Sequence, residues 1–172
     1  IESVHSYTND QNLIDNFHKK DRRGRSAALN MVITETGAGK AVGQVLPELI
    51  GKLTANAVRV PTPNVSLAIM NLHLGRDIST DEINDFLRQK AFHSDLKEQI
   101  GFTNSSEVVS TDFVGDRHAG IIDAAATIVN GDKCVLYVWY DNEFGYTAQL
   151  LGLAKEMVGL TYQRYPNFTE TT

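Results

Sequence analysis

Ile121-Ile122-Asp123-Ala124-Ala125-Ala126-Thr127-Ile128-Val129-Asn130-Gly131-Asp132-Lys133-Cys134-Val135-Leu136-Tyr137-Val138-Trp139-Tyr140 sets two β-rich runs on either side of an Asn-Gly-Asp turn. Asn and Gly tolerate the positive φ of a tight hairpin turn, and the flanking β-branched and aromatic residues suit paired strands. Antiparallel pairing is therefore predicted here. Upstream, Glu107 to Phe113 reads as a strand; downstream, Phe144 to Leu160 repeats apolar residues at Leu150, Leu151, Ala154, Met157 and Val158 and reads as a helix before a polar tail. Ser79-Thr80-Asp81-Glu82 is a capping box that opens another helix through Ile83, Phe86, Leu87 and Ala91. Ala57 to Val60 and Val65 to Leu74 are strands around the rigid turn Pro61-Thr62-Pro63. Nearer the start, Ile1 to Tyr7 reads as a short strand, Asn12 to Lys20 as a short helix and Ala27 to Thr34 as a strand, while Val42, Val45, Leu46 and Leu49 form one helical stripe. Strands clustered in hairpins, rather than alternating with helices, predict an α+β fold: a largely antiparallel mixed sheet with helices on one face.

The 172 residues, 42% of them hydrophobic and 22% charged, suit one compact domain, and no linker or repeat divides them. With 16 Lys and Arg against 21 Asp and Glu, the net charge of -5 argues against nucleic acid or an anionic membrane as partner. No run approaches the roughly 18 apolar residues of a membrane span, and the first residues lack the layout of a signal peptide. The single Cys134 cannot form an internal disulfide. A cytoplasmic setting is the expectation. A first residue that is Ile, not Met, points to a processed chain or a piece of a longer one.

Thr36-Gly37-Ala38-Gly39-Lys40-Ala41-Val42-Gly43 follows a predicted strand and opens a predicted helix. Its spacing is neither the dinucleotide fingerprint nor a Walker A loop. Two readings stand: a plain helix cap, or a one-phosphate site made by backbone N–H groups and the helix dipole at Thr36 and Gly37. The basic run Lys19, Lys20, Arg22, Arg23 and Arg25 is a solvated loop or an anion-binding loop. Among His5, His18, His73, His93 and His118 no pair has metal-ligand spacing, so no metal is expected. His5, taken alone, reads as a satisfied core histidine, and Cys134 as an inert small hydrophobe. Asp141 or Asn142 either caps the last helix or meets a ligand.

Together these segments resemble the catalytic portion of the glyceraldehyde-3-phosphate dehydrogenase family. The resemblance rests on Ser3-Val4-His5-Ser6-Tyr7-Thr8-Asn9-Asp10-Gln11, Arg22-Arg23-Gly24-Arg25, Thr36-Gly37-Ala38, Gly51-Lys52-Leu53, Arg59-Val60-Pro61-Thr62-Pro63-Asn64-Val65-Ser66 and Trp139-Tyr140-Asp141-Asn142-Glu143, in family order and spacing. Within the family, Met31 to Gly37, Ser66 to Leu72, His93 to Leu96 and Val114 to Gly120 look like the bacterial erythrose-4-phosphate dehydrogenase branch. The resemblance makes His5 the base that activates a cysteine thiol and moves protons on the substrate oxygen. It places Thr8, Arg23, Thr36, Gly37 and Arg59 at the sugar phosphate, with Asn142 on the carboxamide of NAD and Tyr146 near its ring. The implied reaction oxidises D-erythrose 4-phosphate to 4-phosphoerythronate, a step toward pyridoxal phosphate. Glyceraldehyde 3-phosphate oxidation and a non-catalytic phosphate-binding module are the alternatives. The family implies a homotetramer. Its nucleophilic Cys and NAD-binding Rossmann domain precede the His segment, and Cys134 does not match that Cys. Residues 1–172 thus look like the C-terminal catalytic domain alone, inactive by itself. Residues 143–172 would be a terminal helix and tail, with an apolar face that packs on the absent domain.

Overall fold

The computed structural model describes residues 1–160. Eight strands form one sheet: β1 (Glu2–Ser6), β2 (Val32–Thr34), β3 (Asn56–Val60), β4 (Ser66–His73), β5 (Ile100–Thr103), β6 (Gly120–Asp123), β7 (Ile128–Asn130) and β8 (Lys133–Tyr140). Their order is β2-β3-β1-β4-β8-β6-β5, with β7 also paired to β8. Only β1 with β3 and β5 with β6 run parallel, so the sheet is mixed and largely antiparallel, and the α+β expectation holds. Three helices complete it: α1 (Ala38–Val45), α2 (Thr80–His93) and α3 (Phe144–Met157).

The Asn-Gly signal produces the expected hairpin. Asn130 pairs with Lys133 across Gly131-Asp132, and Gly131 takes φ 63°. The run before it is not one strand. A 3-10 turn at Ala124–Ala126, capped by the Asp123 carboxylate, splits it into β6 and β7, which pair β8 one after the other. Half of the capping box forms: Ser79 Oγ accepts from Glu82 N at 3.1 Å, while the Glu82 carboxylate turns away to Arg76. Apolar residues alternate along β8. Cys134 and Leu136 meet Ile83 of α2, and Trp139 joins Val65, Phe113 and Ile121. Phe113 and Trp139 stack with centroids 5.5 Å apart.

Four readings of local structure are corrected. Asn12 to Lys20 is not a helix. Its amides bond across to the Arg23-Gly24 backbone, and Asn12, Asp15 and Asn16 hold turns with their own side chains, a competition that disfavours helix. Ala27 to Thr34 shortens to β2, because Asn30 bonds back to the Ser26 carbonyl and closes a turn. The helical stripe breaks at Leu46, held at φ −122° and ψ 80° before Pro47, which bars the helical region to its predecessor; Leu49 falls in a 3-10 turn. Glu107 to Phe113 is a loop and 3-10 turn in which Asp112 accepts from Val109 N at 2.7 Å. β5 had no counterpart in the sequence reading.

α3 exposes an apolar face: Leu150, Leu151, Leu153 and Met157 are each more than half exposed. The polar tail beyond Leu160 lies outside the described residues. Among the described residues no helix is long and apolar enough to cross a membrane.

Candidate functional site

Strand directions bring distant residues to one end of the sheet. β1 runs parallel to β3 and antiparallel to β4, which runs antiparallel to β8. The C-terminal ends of β1, β3 and β8 therefore meet the start of β4. His5 pairs in register with Arg59, and Ser66 with Tyr140. Asp141 and Asn142 follow directly.

His5 is the centre of the cluster. Its Nδ1 lies 2.7 Å from the Ser6 carbonyl oxygen and its Nε2 3.0 Å from Asn142 Nδ2. A carbonyl only accepts and an amide nitrogen only donates, so Nδ1 holds the proton and Nε2 presents its lone pair. Burial pushes the His5 pKa down; the Ser6 carbonyl acts against this, while the charges of Arg59 and Arg23 add to it. The ring is thus held neutral.

Arg59 donates from Nη1 to Thr8 Oγ1 at 2.7 Å and to the Ser6 carbonyl at 3.4 Å. Its Nε is buried without a partner, and among the described residues no carboxylate pairs with it. Burial and the neighbouring Arg23 charge lower its pKa, the signature of a cation held short of counter-charge. Arg23 is tied down differently. Its Nε and Nη2 donate to Thr34 Oγ1 at 3.1 and 2.9 Å, and its Nη1 pairs with Asp10.

Thr36 and Gly37 start α1. Thr36 Oγ1 accepts from Ala38 N at 3.2 Å, so the hydroxyl caps, and a Cβ added to Gly37 would meet nothing within 4 Å, so its surroundings are open. No hydrogen bond joins these two to His5, Arg23 or Arg59. Tyr146 is not brought to the cluster either: it stands 73% exposed on the first turn of α3, the solvent side of that turn. Among the described residues no group of His, Cys, Asp and Glu could hold a metal.

Of the two readings, Asp141 takes the helix cap. Asp141 caps α3, its Oδ1 accepting from Glu143 N and Phe144 N at 2.9 and 2.8 Å. Its Oδ2 accepts from Gly115 N at 2.8 Å and Asn64 Nδ2 at 3.0 Å. Asn142 turns to His5. The sequence reading missed Ser66, Asp10 and Thr34 as site residues. Asp10 sat in an evident polar turn, but nothing in its neighbours signals an arginine thirteen residues on.

A family profile described as "Glyceraldehyde 3-phosphate dehydrogenase, C-terminal domain" matches residues 1–142, a span that runs from before His5 through Asn142. The chain is 63% identical over 166 residues to the "Glyceraldehyde-3-phosphate dehydrogenase-like protein" of Pseudomonas aeruginosa (strain UCBPP-PA14), covering 96% of this chain and 36% of that protein. It is 46% identical over 153 residues to glyceraldehyde-3-phosphate dehydrogenase 1 of Bacillus subtilis (strain 168), covering 88% and 45%. With glyceraldehyde-3-phosphate dehydrogenase 2 of Drosophila melanogaster it shares 48% over 157 residues, 90% of this chain and 47% of the relative. The chain therefore spans from about a third to about half the length of these relatives. With the imidazole, the two arginines and the amide all inside the matched span, the chain belongs to the glyceraldehyde-3-phosphate dehydrogenase family, as its C-terminal domain.

Proposed function

We propose that, in the whole protein, this domain supplies the base and the anion-binding groups for NAD-dependent oxidation of a small aldehyde phosphate. The observation that carries the reading is a neutral His5 with its Nε2 lone pair directed into a site whose Arg59 keeps a buried, unpartnered donor. Arg59 holds the substrate phosphate, with Thr8 fixing its guanidinium. With the Asn142 N–H displaced from it, His5 Nε2 accepts the proton of an attacking thiol and returns it as the substrate oxygen changes charge. That thiol comes from outside this chain, because Cys134 is 1% exposed and burial pushes its pKa up, which suppresses the nucleophilic thiolate. NAD, where bound, would supply the hydride acceptor. The residues here fit only its nicotinamide end: the Asn142 amide beside His5 and the exposed ring of Tyr146. The rest of the cofactor falls to the remainder of the protein, against which the apolar face of α3 would pack. A homotetramer would cover the exposed Leu13, Ile14 and Phe17.

For the substrate we favour D-erythrose 4-phosphate, oxidised to 4-phosphoerythronate with water as acyl acceptor, a step toward pyridoxal phosphate. The segments at 31–37 and 66–72 support it. So does the state of the arginines: every nitrogen of Arg23 is engaged inside the protein, which leaves Arg59 as the guanidinium with a spare buried donor, suited to one anion rather than two. The relatives' names favour glyceraldehyde 3-phosphate with inorganic phosphate. NADH production by the whole protein, with each aldehyde phosphate and with or without inorganic phosphate, separates the two. Preference for the four-carbon substrate with no gain from phosphate is the expected result, and a phosphate-dependent preference for the three-carbon one overturns it. Tight sugar-phosphate binding without turnover would leave a binding module in place of an enzyme. In the same assay Arg59→Ala should raise KM for the aldehyde phosphate about tenfold to a hundredfold, the loss of one or two charge-assisted hydrogen bonds.

A further inference from the structure

We propose that Ser66 is a positioning residue for the base, holding the Asn142 amide so that its nitrogen is presented to His5. The inference rests on the functional reading above.

Ser66 is 2% exposed and lies at the start of β4. Its Oγ accepts from Ser6 N at 3.2 Å and lies 2.5 Å from Asn142 Oδ1. An amide oxygen only accepts, so the one hydroxyl proton goes to Asn142. That donation fixes which end of the amide faces which neighbour: with Oδ1 held by Ser66, Nδ2 points at His5 Nε2. Ser6 Oγ reaches the same oxygen only at 3.5 Å. The turned-over amide would set an oxygen against the imidazole lone pair and take from Ser66 the oxygen that its hydroxyl now donates to.

The backbone is bent to place this hydroxyl. Val65 takes φ 64°, a strained left-handed conformation that a β-branched residue rarely adopts. The surroundings impose it. Asn64 Oδ1 accepts from Val65 N at 2.8 Å, Asn64 Nδ2 donates to Asp141, and the Val65 side chain packs on Phe113, Ile121 and Trp139. The same Asp141 anchors the residue next to Asn142. One short segment thus sets both halves of the Ser66 to Asn142 contact.

An N–H directed at Nε2 suits only the neutral ring, because a protonated Nε2 would face it donor to donor. Freeing the amide therefore makes His5 easier to protonate as well as less well oriented. The charged groups facing His5, Arg59 and Arg23, stay in place in a Ser66 variant; on the other side of Ser66 stands the Tyr140 hydroxyl.

The test compares Ser66→Ala, Ser66→Thr and His5→Asn in the whole protein, with nitrogen NMR of the His5 ring alongside steady-state rates against pH. Ser66→Ala should raise the His5 titration midpoint by about 0.5–1 unit, the equivalent of one ordinary hydrogen bond. It should lower kcat about threefold to tenfold at neutral pH, with the acid limb displaced upward and KM for the aldehyde phosphate within about twofold. Ser66→Thr, which keeps the hydroxyl, should restore both. An unmoved His5 midpoint and pH profile in a folded Ser66→Ala protein overturns the positioning role. So does a Ser66→Thr protein that is folded yet behaves like Ser66→Ala. Undiminished activity in His5→Asn instead overturns the functional reading itself.

Discussion

Replacing His5 by Asn should lower kcat of the whole protein by about 10²–10⁴, the usual contribution of a positioned general base. Asn keeps a side-chain donor for the Ser6 carbonyl but offers no lone pair where Nε2 stood, so the lost function is proton transfer and not packing. The loss should fall on kcat, because Arg59 and Thr8 still hold the phosphate. Steady-state rates with the preferred aldehyde phosphate measure it, and an unchanged urea midpoint confirms that the fold survives. A fall of less than tenfold would remove His5 from the chemistry.

Asp141→Ala should cost about 3 kcal/mol or more in unfolding free energy. The carboxylate is 3% exposed and satisfies four donors, from Gly115, Glu143, Phe144 and Asn64; removing it takes the shared acceptor from all four at once. It also releases the first turn of α3 from the end of β8. Urea denaturation at neutral pH reads the change, and a loss below about 1 kcal/mol would show that solvent can replace the carboxylate there.

The same residues set the order in which acid acts. Burial pushes the His5 pKa below its ordinary 6.5, so its share of stability is complete above that value and is lost as the pH falls through it. For Asp141, burial alone would raise the carboxyl, but the Gly115, Phe144 and Glu143 amides and the Asn64 side chain outweigh it and hold the pKa below 3.8. Its contribution is present above 3.8 and goes only at lower pH. A denaturation series should show a first decline just below pH 6.5 that His5→Asn removes, and a second below pH 4 that Asp141→Ala lessens, the lowered carboxyls of Asp10, Asp15 and Glu82 carrying the rest.

Local chemistry made part of this legible. Asn130-Gly131 could hardly be anything but a hairpin, and Ser79 to Glu82 announces its helix through a hydrogen bond made within four residues. Pro47 was equally readable as a helix stop, yet the apolar stripe across it outweighed the proline in the reading. Asn12 to Lys20 is no helix because Asn12 and Asn16 close local turns with their side chains and Asp15 bonds to a backbone amide eleven residues away, where no periodicity records it. The site shows the same division. His5 and Arg59 could be named from their motifs, whereas Ser66 and Asn142 become partners only through the β4–β8 register and the bend at Val65. Tyr146, named from its motif, stands exposed on the first turn of α3.

The hydrogen bond from Asn142 to His5 spans 137 positions of the chain. On a ribosome moving at roughly 5–20 residues per second, the base is made many seconds before its partner. β1 can meet β3 once residue 60 has emerged, so the imidazole is parked on a sheet that still lacks β8. The contact cannot form before residue 142 is made, so the site is completed late in the synthesis of the domain. Its formation then serves as a report that the whole sheet is in place.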